Sequence, residues 1–136
     1  MSFVVDILTP SKVIAQNLNA AELLVPTVRG QINILEDHTH IVSKLDTGVL
    51  TLVSNGVQDN YLITTGICKV LKDKIVILAN VCEHSKEIDR ERAQAALDQA
   101  EGKLSGDETL SEEEVIKYRR KRDRAYVRLK LSVLGK

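Results

Sequence analysis

The sequence predicts an α+β fold in which an antiparallel β-sandwich or barrel, residues 1–85, precedes an antiparallel two-helix hairpin, residues 86–136. Residues 3–83 consist of short β-branched segments separated by turn residues, as in antiparallel sandwiches and barrels. From Ile88 onward the apolar spacing is helical. Charge density changes at the same place, because 14 of the first 85 residues are charged, against 24 of the last 51. We therefore expect two domains with a boundary near Ser85.

The strands are predicted from apolar, β-branched segments bounded by Gly, Pro, Asn, Asp and Ser. The strongest local signal is Asn55-Gly56 between two such segments, because both residues tolerate the positive φ of a two-residue hairpin turn. A second tight turn is expected at residues 72–74. The predicted strands are residues 3–8, 12–18, 21–25, 31–35, 41–45, 49–53, 57–64, 67–71 and 75–79.

Both predicted helices carry an apolar stripe at helical spacing. In the first helix the stripe is mostly alanine, which permits close approach of a partner helix, and Gly102 with residues 105–107 is expected to end it. The second helix begins with Ser111 at the N-cap and Glu114 three residues later, the pattern of a capping box. The stripe residues are Ala93, Ala96, Leu97, Ala100 and Leu104 in the first helix and Val115, Tyr118, Arg122, Ala125, Leu129 and Val133 in the second.

The composition excludes several classes of protein. With 43% hydrophobic and 28% charged residues the chain is globular, and its short apolar segments cannot span a bilayer. Cys68 and Cys82 are too few for a disulfide framework, so we expect small buried side chains in a reducing compartment. The N-terminal residues have the pattern of neither a signal nor a transit peptide.

The sequence contains no motif for catalysis or metal binding. A phosphate-binding P-loop, a GxGxxG segment, a CxxC pair and an HExxH helix are all missing. His38 and His40 would share one face of a strand but lack a third ligand, so we expect them at surface or turn positions. These observations predict neither an enzyme nor a metal site.

The net charge is zero, with 19 basic and 19 acidic residues, but residues 117–130 contain eight cations and one acid, Asp123. Two interpretations are open: a solvated helix face, or an electrostatic contact with an acidic partner or with phosphates. One function of the second kind is a free-standing adaptor that binds nucleic acid or another polyanion, although four aromatic residues are few for stacking on bases. The cations are Lys117, Arg119, Arg120, Lys121, Arg122, Arg124, Arg128 and Lys130.

Four segments carry a resemblance to a known family. Residues 25–38, VPTVRGQINILEDH, contain the pattern G-x-[IL]-x-[IV]-L-x-x-H, and residues 45–50, LDTGVL, contain x-G-[VIM]-[LM]. Residues 65–70, TGICKV, and residues 74–79, KIVILA, are similar to two later strands of the family. In their order along the whole chain, these segments resemble the epsilon subunit of F-type ATP synthases.

The resemblance implies a fold and a place in a complex. The fold would be a ten-stranded antiparallel β-sandwich, residues 1–85, followed by the helical hairpin, residues 86–136. The β domain would contact the gamma subunit and the c-ring of the central rotor stalk, and the helices would reach the alpha and beta subunits of the catalytic head. The subunit would couple proton-driven rotation to ATP synthesis without catalysing a reaction. We expect a peripheral position on the cytoplasmic face of a bacterial inner membrane, or on the stromal face of the thylakoid for a plastid-encoded chain.

A further motif bears on regulation. Residues 88–93, IDRERA, match the sequence [IL]-D-x-x-R-A of ATP-binding bacterial members of the family. The resemblance implies ATP as a regulatory ligand rather than a required cofactor, with Gln99 replacing a further arginine and weakening phosphate binding. Alternatively, Asp89 is a simple N-cap and Arg92 a solvated side chain. The implied ATP-binding residues are Glu83, Ile88, Asp89, Arg92, Ala93, Arg124 and Arg128.

We hypothesise a switch between two arrangements of the helices, because a lone polar hairpin is only marginally stable. In one arrangement the helices pack together against the β domain, with ATP bridging them. In the other they extend along the gamma subunit into the head, where the basic helix meets acidic segments and blocks rotation in the hydrolysis direction. The residues expected to inhibit are Arg119, Arg120, Lys121, Arg122, Arg124 and Arg128.

Overall fold

The computed structural model describes residues 3–34, 41–72, 74–106 and 109–134. The chain divides into two compact units, Met1–His84 and Ser85–Lys136; the described strands lie in the first and the described helices in the second. The second unit contains a 3-10 turn at Ser85–Glu87 and the helices α1 (Arg90–Ser105) and α2 (Glu112–Leu134). The strands are β1 (Phe3–Leu8), β2 (Val13–Ala20), β3 (Glu22–Thr27), β4 (Gly30–Ile34), β5 (Ile41–Leu45), β6 (Gly48–Ser54), β7 (Val57–Ile63), β8 (Gly66–Val70), β9 (Lys74–Ala79) and β10 (Cys82–His84).

The strands of the first unit form one hydrogen-bonded sheet in the order β10-β7-β6-β3-β5-β8-β9-β1-β2, with β4 paired to β3. The sheet turns between β3 and β5, where Thr27 and Leu45 are the only directly paired residues. The two layers that result face each other, and β2 approaches β6 across them. This arrangement is a β-sandwich of ten strands.

The prediction that the strands are all antiparallel is wrong for one pair. β1 and β9 run parallel, with Val5 beside Ile75 and Ile7 beside Ile77. A tight turn forces consecutive strands to be antiparallel, but β1 and β9 are distant in sequence, so no turn fixes their relative direction. β10 was also missed among the segments with strand composition, because three residues are too few to show a period.

The core of the first unit lies between the two layers. Cys68 and Cys82 both belong to it, which confirms the prediction of small buried side chains. Burial raises the pKa of the Cys68 thiol to about 12, because apolar surroundings disfavour the thiolate. The largest fully buried side chains of this core include Ile7, Leu23, Ile34, Leu45, Leu50, Ile63, Ile75 and Ile77.

The Asn55-Gly56 hairpin turn is confirmed. Asn55 and Gly56 have φ values of 52° and 77°, and the residues on either side of them, Ser54 and Val57, pair directly. Gly66 is needed for a different reason. A Cβ at this position would fall against the carbonyl oxygen of Leu78 and lie 2.8 Å from Cα of Ala79, so β8 and β9 can approach here only without a side chain.

α1 buries Ala93, Leu97 and Ala100, which form the centre of its predicted apolar stripe. The helix continues through Gly102 and ends at Ser105, with Gly106 as its C-cap, so the expected end at Ser105 and Gly106 is confirmed and the break at Gly102 is wrong. A Cβ at Gly102 would meet no atom within 4 Å, and one glycine costs an exposed helix only about 1 kcal/mol relative to alanine.

The capping box at the start of α2 is confirmed. The Glu114 N–H donates to Ser111 Oγ at 3.2 Å, and the Ser111 N–H donates to Glu114 Oε1 at 3.3 Å. Ala125 of the predicted stripe is buried, and Leu131, which the stripe did not include, is buried as well. The side chain of Val133 lies outside the described part of the chain.

Candidate functional site

Asp89 is the N-cap of α1. Its backbone is extended, with φ −88° and ψ 110°, and its Oδ1 accepts a hydrogen bond from the Arg92 N–H at 3.1 Å. The carboxylate satisfies an N–H that the helix itself leaves unpaired, and its charge lies at the positive end of the helix dipole. This confirms the N-cap interpretation of Asp89. Its Oδ2 has no hydrogen-bond partner among the described residues.

The neighbours of Asp89 in the 88–93 motif differ in exposure. The Ile88 N–H donates to the Ser85 carbonyl oxygen at 3.4 Å, and the Ile88 side chain is half-buried. Ala93 is buried, whereas Arg92 is exposed and forms no ion pair within the described ranges. The motif therefore anchors the helix through Ile88 and Ala93 and directs one guanidinium to solvent.

Two arginines of α2 belong to the half of that helix that lies level with this helix start. α1 and α2 pack against each other, and the 3-10 turn that precedes α1 also contacts α2. With so short a connection between Ser105 and Glu112, these contacts require an antiparallel pair, in which the first turn of α1 lies level with the C-terminal half of α2. Arg124 and Arg128 are one turn apart in that half and are half-buried. The structure thus places both arginines at the same end of the helical unit as Asp89 and Arg92.

Two further positions belong to the implied ATP site or adjoin it in the family pattern. Glu83 belongs to β10 of the first unit, opposite Leu62 of β7. Gln99 is exposed on α1, seven residues beyond Arg92. Seven residues make about two helical turns, so Gln99 and Arg92 share one face of α1.

The cations of α2 fall into two groups that the sequence did not distinguish. Arg119 and Arg120 take part in no ion pair within the part of the chain that the structure describes. Arg122 pairs with its neighbour Asp123, Nη2 to Oδ1 at 3.3 Å, and the Lys121 ammonium lies 5.7 Å from the centre of the Tyr118 ring. Of the predicted inhibitory residues, the exposed group is Arg119, Arg120 and Lys121, and the half-buried group is Arg122, Arg124 and Arg128.

The first unit has a surface that was not predicted from the sequence, on the outer side of the layer formed by β5, β8, β9, β1 and β2. The strand register places one row of outward residues across all five strands, and Val42 lies in the next row, beside Lys69. We call the four exposed apolar side chains of this surface the outer apolar face: Val13 (58% exposed), Val42 (70%), Ile67 (40%) and Leu78 (39%). The row consists of Lys44, Ile67, Leu78, Leu8 and Val13.

A sequence signal for this surface existed in β9. Residues 75–79 are apolar at every position, and a strand that is apolar on both sides is typical of a sheet covered on both sides. The surface also contains one carboxylate, Asp6, whose Oδ1 accepts the Asn17 N–H at 2.8 Å and whose Oδ2 lies 3.0 Å from Lys74 Nζ. The hydrogen bond from Asn17 is the larger cause and the contact with Lys74 the smaller one, and together they hold the pKa of Asp6 below its usual value.

The described residues contain no group of three or more His, Cys, Asp and Glu side chains that could hold a metal ion. His38 and His40, for which surface or turn positions were predicted, lie outside the described residues. In the ranges that the structure describes, no helix is both long enough and apolar enough to cross a membrane.

Residues 2–85 match the family model of the beta-sandwich domain of the ATP synthase delta/epsilon chain. The chain is 36% identical over 116 residues to the chloroplastic ATP synthase epsilon chain of Emiliania huxleyi, covering 85% of this chain and 87% of the relative. It is also 36% identical over 100 residues to the ATP synthase epsilon chain of Carboxydothermus hydrogenoformans, covering 74% of each.

Two solved structures share the fold at 20% sequence identity. One is a chain of the Euglena gracilis mitochondrial ATP synthase, resolved as OSCP, F1 and c-ring, with a TM-score of 0.73 over 98% of this chain and 79% of that one. The other belongs to the central stalk and c-ring of the Tetrahymena thermophila mitochondrial ATP synthase, with a TM-score of 0.62 over 93% of each chain.

The chain therefore belongs to the family of F-type ATP synthase epsilon chains. The epsilon chain is a non-catalytic subunit, peripheral to the membrane, of a membrane-bound synthase. This membership gives no support to the alternative of a free-standing polyanion-binding adaptor.

Proposed function

We propose that this epsilon chain docks its β unit on the gamma subunit and the c-ring, and that it uses α2 to inhibit ATP hydrolysis by the catalytic head. The observation that carries the inhibitory part is the cationic surface of α2, where Arg119 and Arg120 are exposed and outside any ion pair with the described residues. Such a surface fits an acidic partner, because opposite potentials steer two protein surfaces together and fix their orientation. The acidic partner would be the alpha and beta subunits of the head.

The outer apolar face supports the docking role. Clustered exposed apolar side chains, here Val42, Ile67 and Leu78 on the neighbouring strands β5, β8 and β9, are uncommon on monomers and mark surfaces that a protein partner covers. Both solved relatives come from synthase assemblies that include a c-ring. A subunit fixed to the gamma subunit and the c-ring would turn with them and so transmit rotation between the membrane and the head.

The contact between α1 and α2 sets the free energy that a conformational switch requires. Among the described residues, the buried apolar side chains of the two helices are Ala93, Leu97, Ala100, Ala125 and Leu131. A buried methyl group contributes about 0.8 kcal/mol and a buried leucine about 1.5–3 kcal/mol, so separation of the helices costs several kcal/mol of apolar burial. A partner that binds the extended α2 more tightly than the packed hairpin by a similar free energy would shift the equilibrium to the extended arrangement.

Removal of the helical unit tests the inhibitory role. A synthase assembled with a chain that ends after Ser85 should hydrolyse ATP faster than the wild-type complex, because the cationic helix is gone. Retention of the truncated chain in the purified complex is the control for docking by the β unit. An ATPase rate equal to that of the wild-type complex would remove the inhibitory role and leave the docking role standing.

A second candidate function is regulatory ATP binding at the end of the helical unit that holds Asp89, Arg92, Arg124 and Arg128. The observation that favours it is chemical: Asp89 Oδ2 is available to accept from an adenine amino group, and Arg92 is exposed and outside any described ion pair. Arginine suits phosphate because its planar fork donates two parallel hydrogen bonds. A nucleotide held by both helices would favour the packed hairpin and oppose inhibition.

Calorimetry on the full-length chain tests the nucleotide site. We expect heat of binding with ATP for the wild type, a loss of affinity for Arg92→Ala, and wild-type affinity for the matched control Arg90→Ala, whose exposed side chain occupies a position that the motif leaves unspecified. Absence of binding heat for the wild type at about 1 mM ATP would remove this candidate function. A site that binds more weakly than this has a binding free energy below about 4 kcal/mol.

The cellular location of the complex is proposed as the cytoplasmic face of a bacterial inner membrane, with the stromal face of the thylakoid as the alternative. The relatives include both a bacterial and a chloroplastic chain. Immunodetection in membrane fractions of the source cells distinguishes the two locations.

A further inference from the structure

A groove lies at the corner of the β-sandwich where β3 gives way to β5. It has a volume of about 410 Å³ and is lined by Thr27, Val28, Arg29, Val42, Ser43 and Lys44. The Val28 N–H donates to the Lys44 carbonyl oxygen at 3.1 Å, and this hydrogen bond joins the end of β3 to β5.

The turn that carries Arg29 is held in place by its own hydrogen bonds. The Thr27 hydroxyl donates to the Gly30 carbonyl oxygen at 2.6 Å, and the same oxygen, Thr27 Oγ1, accepts from the Arg29 N–H at 3.2 Å. Gly30 has φ 107°, a conformation that L side chains rarely adopt, so this turn requires glycine at position 30. Arg29 therefore starts from a backbone position that is set before any partner binds.

Two cations line the groove. Neither Arg29 nor Lys44 forms an ion pair with residues 3–34, 41–72, 74–106 or 109–134. Asp46, the described acid closest to Lys44 in sequence, uses its Oδ1 to accept the Thr47 N–H at 2.8 Å. Exposed Val28 and Val42 lie beside the two cations, so the groove combines apolar contact with two donors for a carboxylate.

We propose that this groove receives an acidic segment, an Asp or Glu flanked by apolar residues, of the protein that docks on the outer apolar face. This inference rests on the proposed docking role, and it states the chemistry of the partner at the edge of the outer apolar face. Continuity supports it, because Val42 belongs to both surfaces and Lys44 lies in the same strand row as Ile67. The apolar face would supply buried area, and Arg29 and Lys44 would fix the register of the partner by charge.

Binding of the full-length chain to the gamma subunit of its own synthase provides the test, measured between about 50 and 500 mM KCl so that screening varies. Arg29→Glu and Lys44→Glu should each weaken binding by about tenfold at low salt, and the difference from wild type should shrink at high salt. The matched control is Lys72→Glu, which makes the same charge change at an exposed position between β8 and β9 and should bind like the wild type. Ile67→Asp places a charge on the outer apolar face at a position that does not line the groove, and so tests docking by that face.

The outcomes separate this inference from the docking role. Groove variants that bind like the wild type, while Ile67→Asp binds weakly, would overturn the acidic-segment proposal and leave docking intact. No binding of the wild-type chain to gamma would overturn both. Saturable binding of inorganic phosphate that Arg29→Glu abolishes, without any effect of that variant on gamma binding, would assign the groove to a small anion and likewise overturn the proposal.

Discussion

The carboxylate of Asp6 accepts a hydrogen bond from the backbone N–H of Asn17, at 2.8 Å, across a break in the pairing of β1 with β2. Val5 pairs with Leu18 and Ile7 with Ala15, so β2 has extra residues opposite Asp6 and forms a bulge in which Asn17 has φ 54°. Asp6 fills the gap that the bulge leaves in the backbone ladder. A bulge on this edge strand also hinders pairing with another chain.

A fall in pH should destabilise the first unit, because Asp6 becomes protonated. Because the folded pKa of Asp6 is lowered from 3.8, its contribution to stability is complete above that value and is lost as the pH falls through the lower folded pKa. Lys74→Gln removes the ion pair at 3.0 Å and should make urea unfolding less dependent on pH in this acid range. Lys72→Gln, at an exposed turn position, should keep the wild-type dependence; equal profiles for the two variants would contradict the assignment.

Two glycine substitutions should have opposite effects on stability. Gly66→Ala forces a Cβ against the Leu78 carbonyl oxygen and should destabilise the chain by about 1–3 kcal/mol, since the neighbouring strand backbone must move. Gly102→Ala meets open space within α1 and should stabilise it by about 0.5–1 kcal/mol. Urea unfolding monitored by circular dichroism measures both, and a Gly66→Ala variant as stable as the wild type would contradict the close approach of β8 and β9.

Substitutions at Asp89 should separate helix capping from nucleotide binding. Asparagine caps helices as well as aspartate does, so Asp89→Asn should keep the thermal stability, whereas Asp89→Ala should cost about 1 kcal/mol. If the Asp89 carboxylate accepts from ATP, both variants should bind ATP more weakly. If Asp89→Asn instead binds ATP like the wild type and only Asp89→Ala binds it more weakly, Asp89 acts only as the helix cap.

Gln99→Arg should strengthen ATP binding. The substituted side chain would lie on the face of α1 that carries Arg92, and a charge-assisted hydrogen bond to phosphate would account for about a tenfold gain in affinity, or ~1.4 kcal/mol. Gln94→Arg, which adds the same charge elsewhere on α1, serves as the control. Equal gains from both variants would indicate general charge attraction rather than a phosphate contact.

The features that the sequence predicted correctly are local. The Asn55-Gly56 turn, the Ser111–Glu114 capping box and the Asp89 cap each depend on residues within four positions of one another, so composition and spacing suffice to predict them. The basic character of α2 was equally visible, but its division into an exposed and a half-buried group depends on how the helix packs.

The features that could not be predicted depend on contacts between distant strands. The parallel pairing of β1 with β9 sets which side chains form the outer row, and no turn near either strand specifies it. Arg29 and Lys44 meet at one groove only because β3 and β5 join at Thr27 and Leu45. The requirement for Gly66 comes from the close approach of β8 and β9 and not from its own backbone conformation, and nothing in the sequence indicates this.

The rate of ATP hydrolysis by the assembled synthase tests the inhibitory role of α2 most directly. With full-length chains, the double variant Arg119→Ala/Arg120→Ala removes two exposed charges of α2, and Lys12→Ala/Lys72→Ala removes two exposed charges of the β unit as the matched control. We predict that the α2 variant hydrolyses ATP faster than the wild type, towards the rate of the complex truncated after Ser85, and that the control keeps the wild-type rate. Equal rates for wild type, α2 variant and truncated complex would contradict inhibition by this helix.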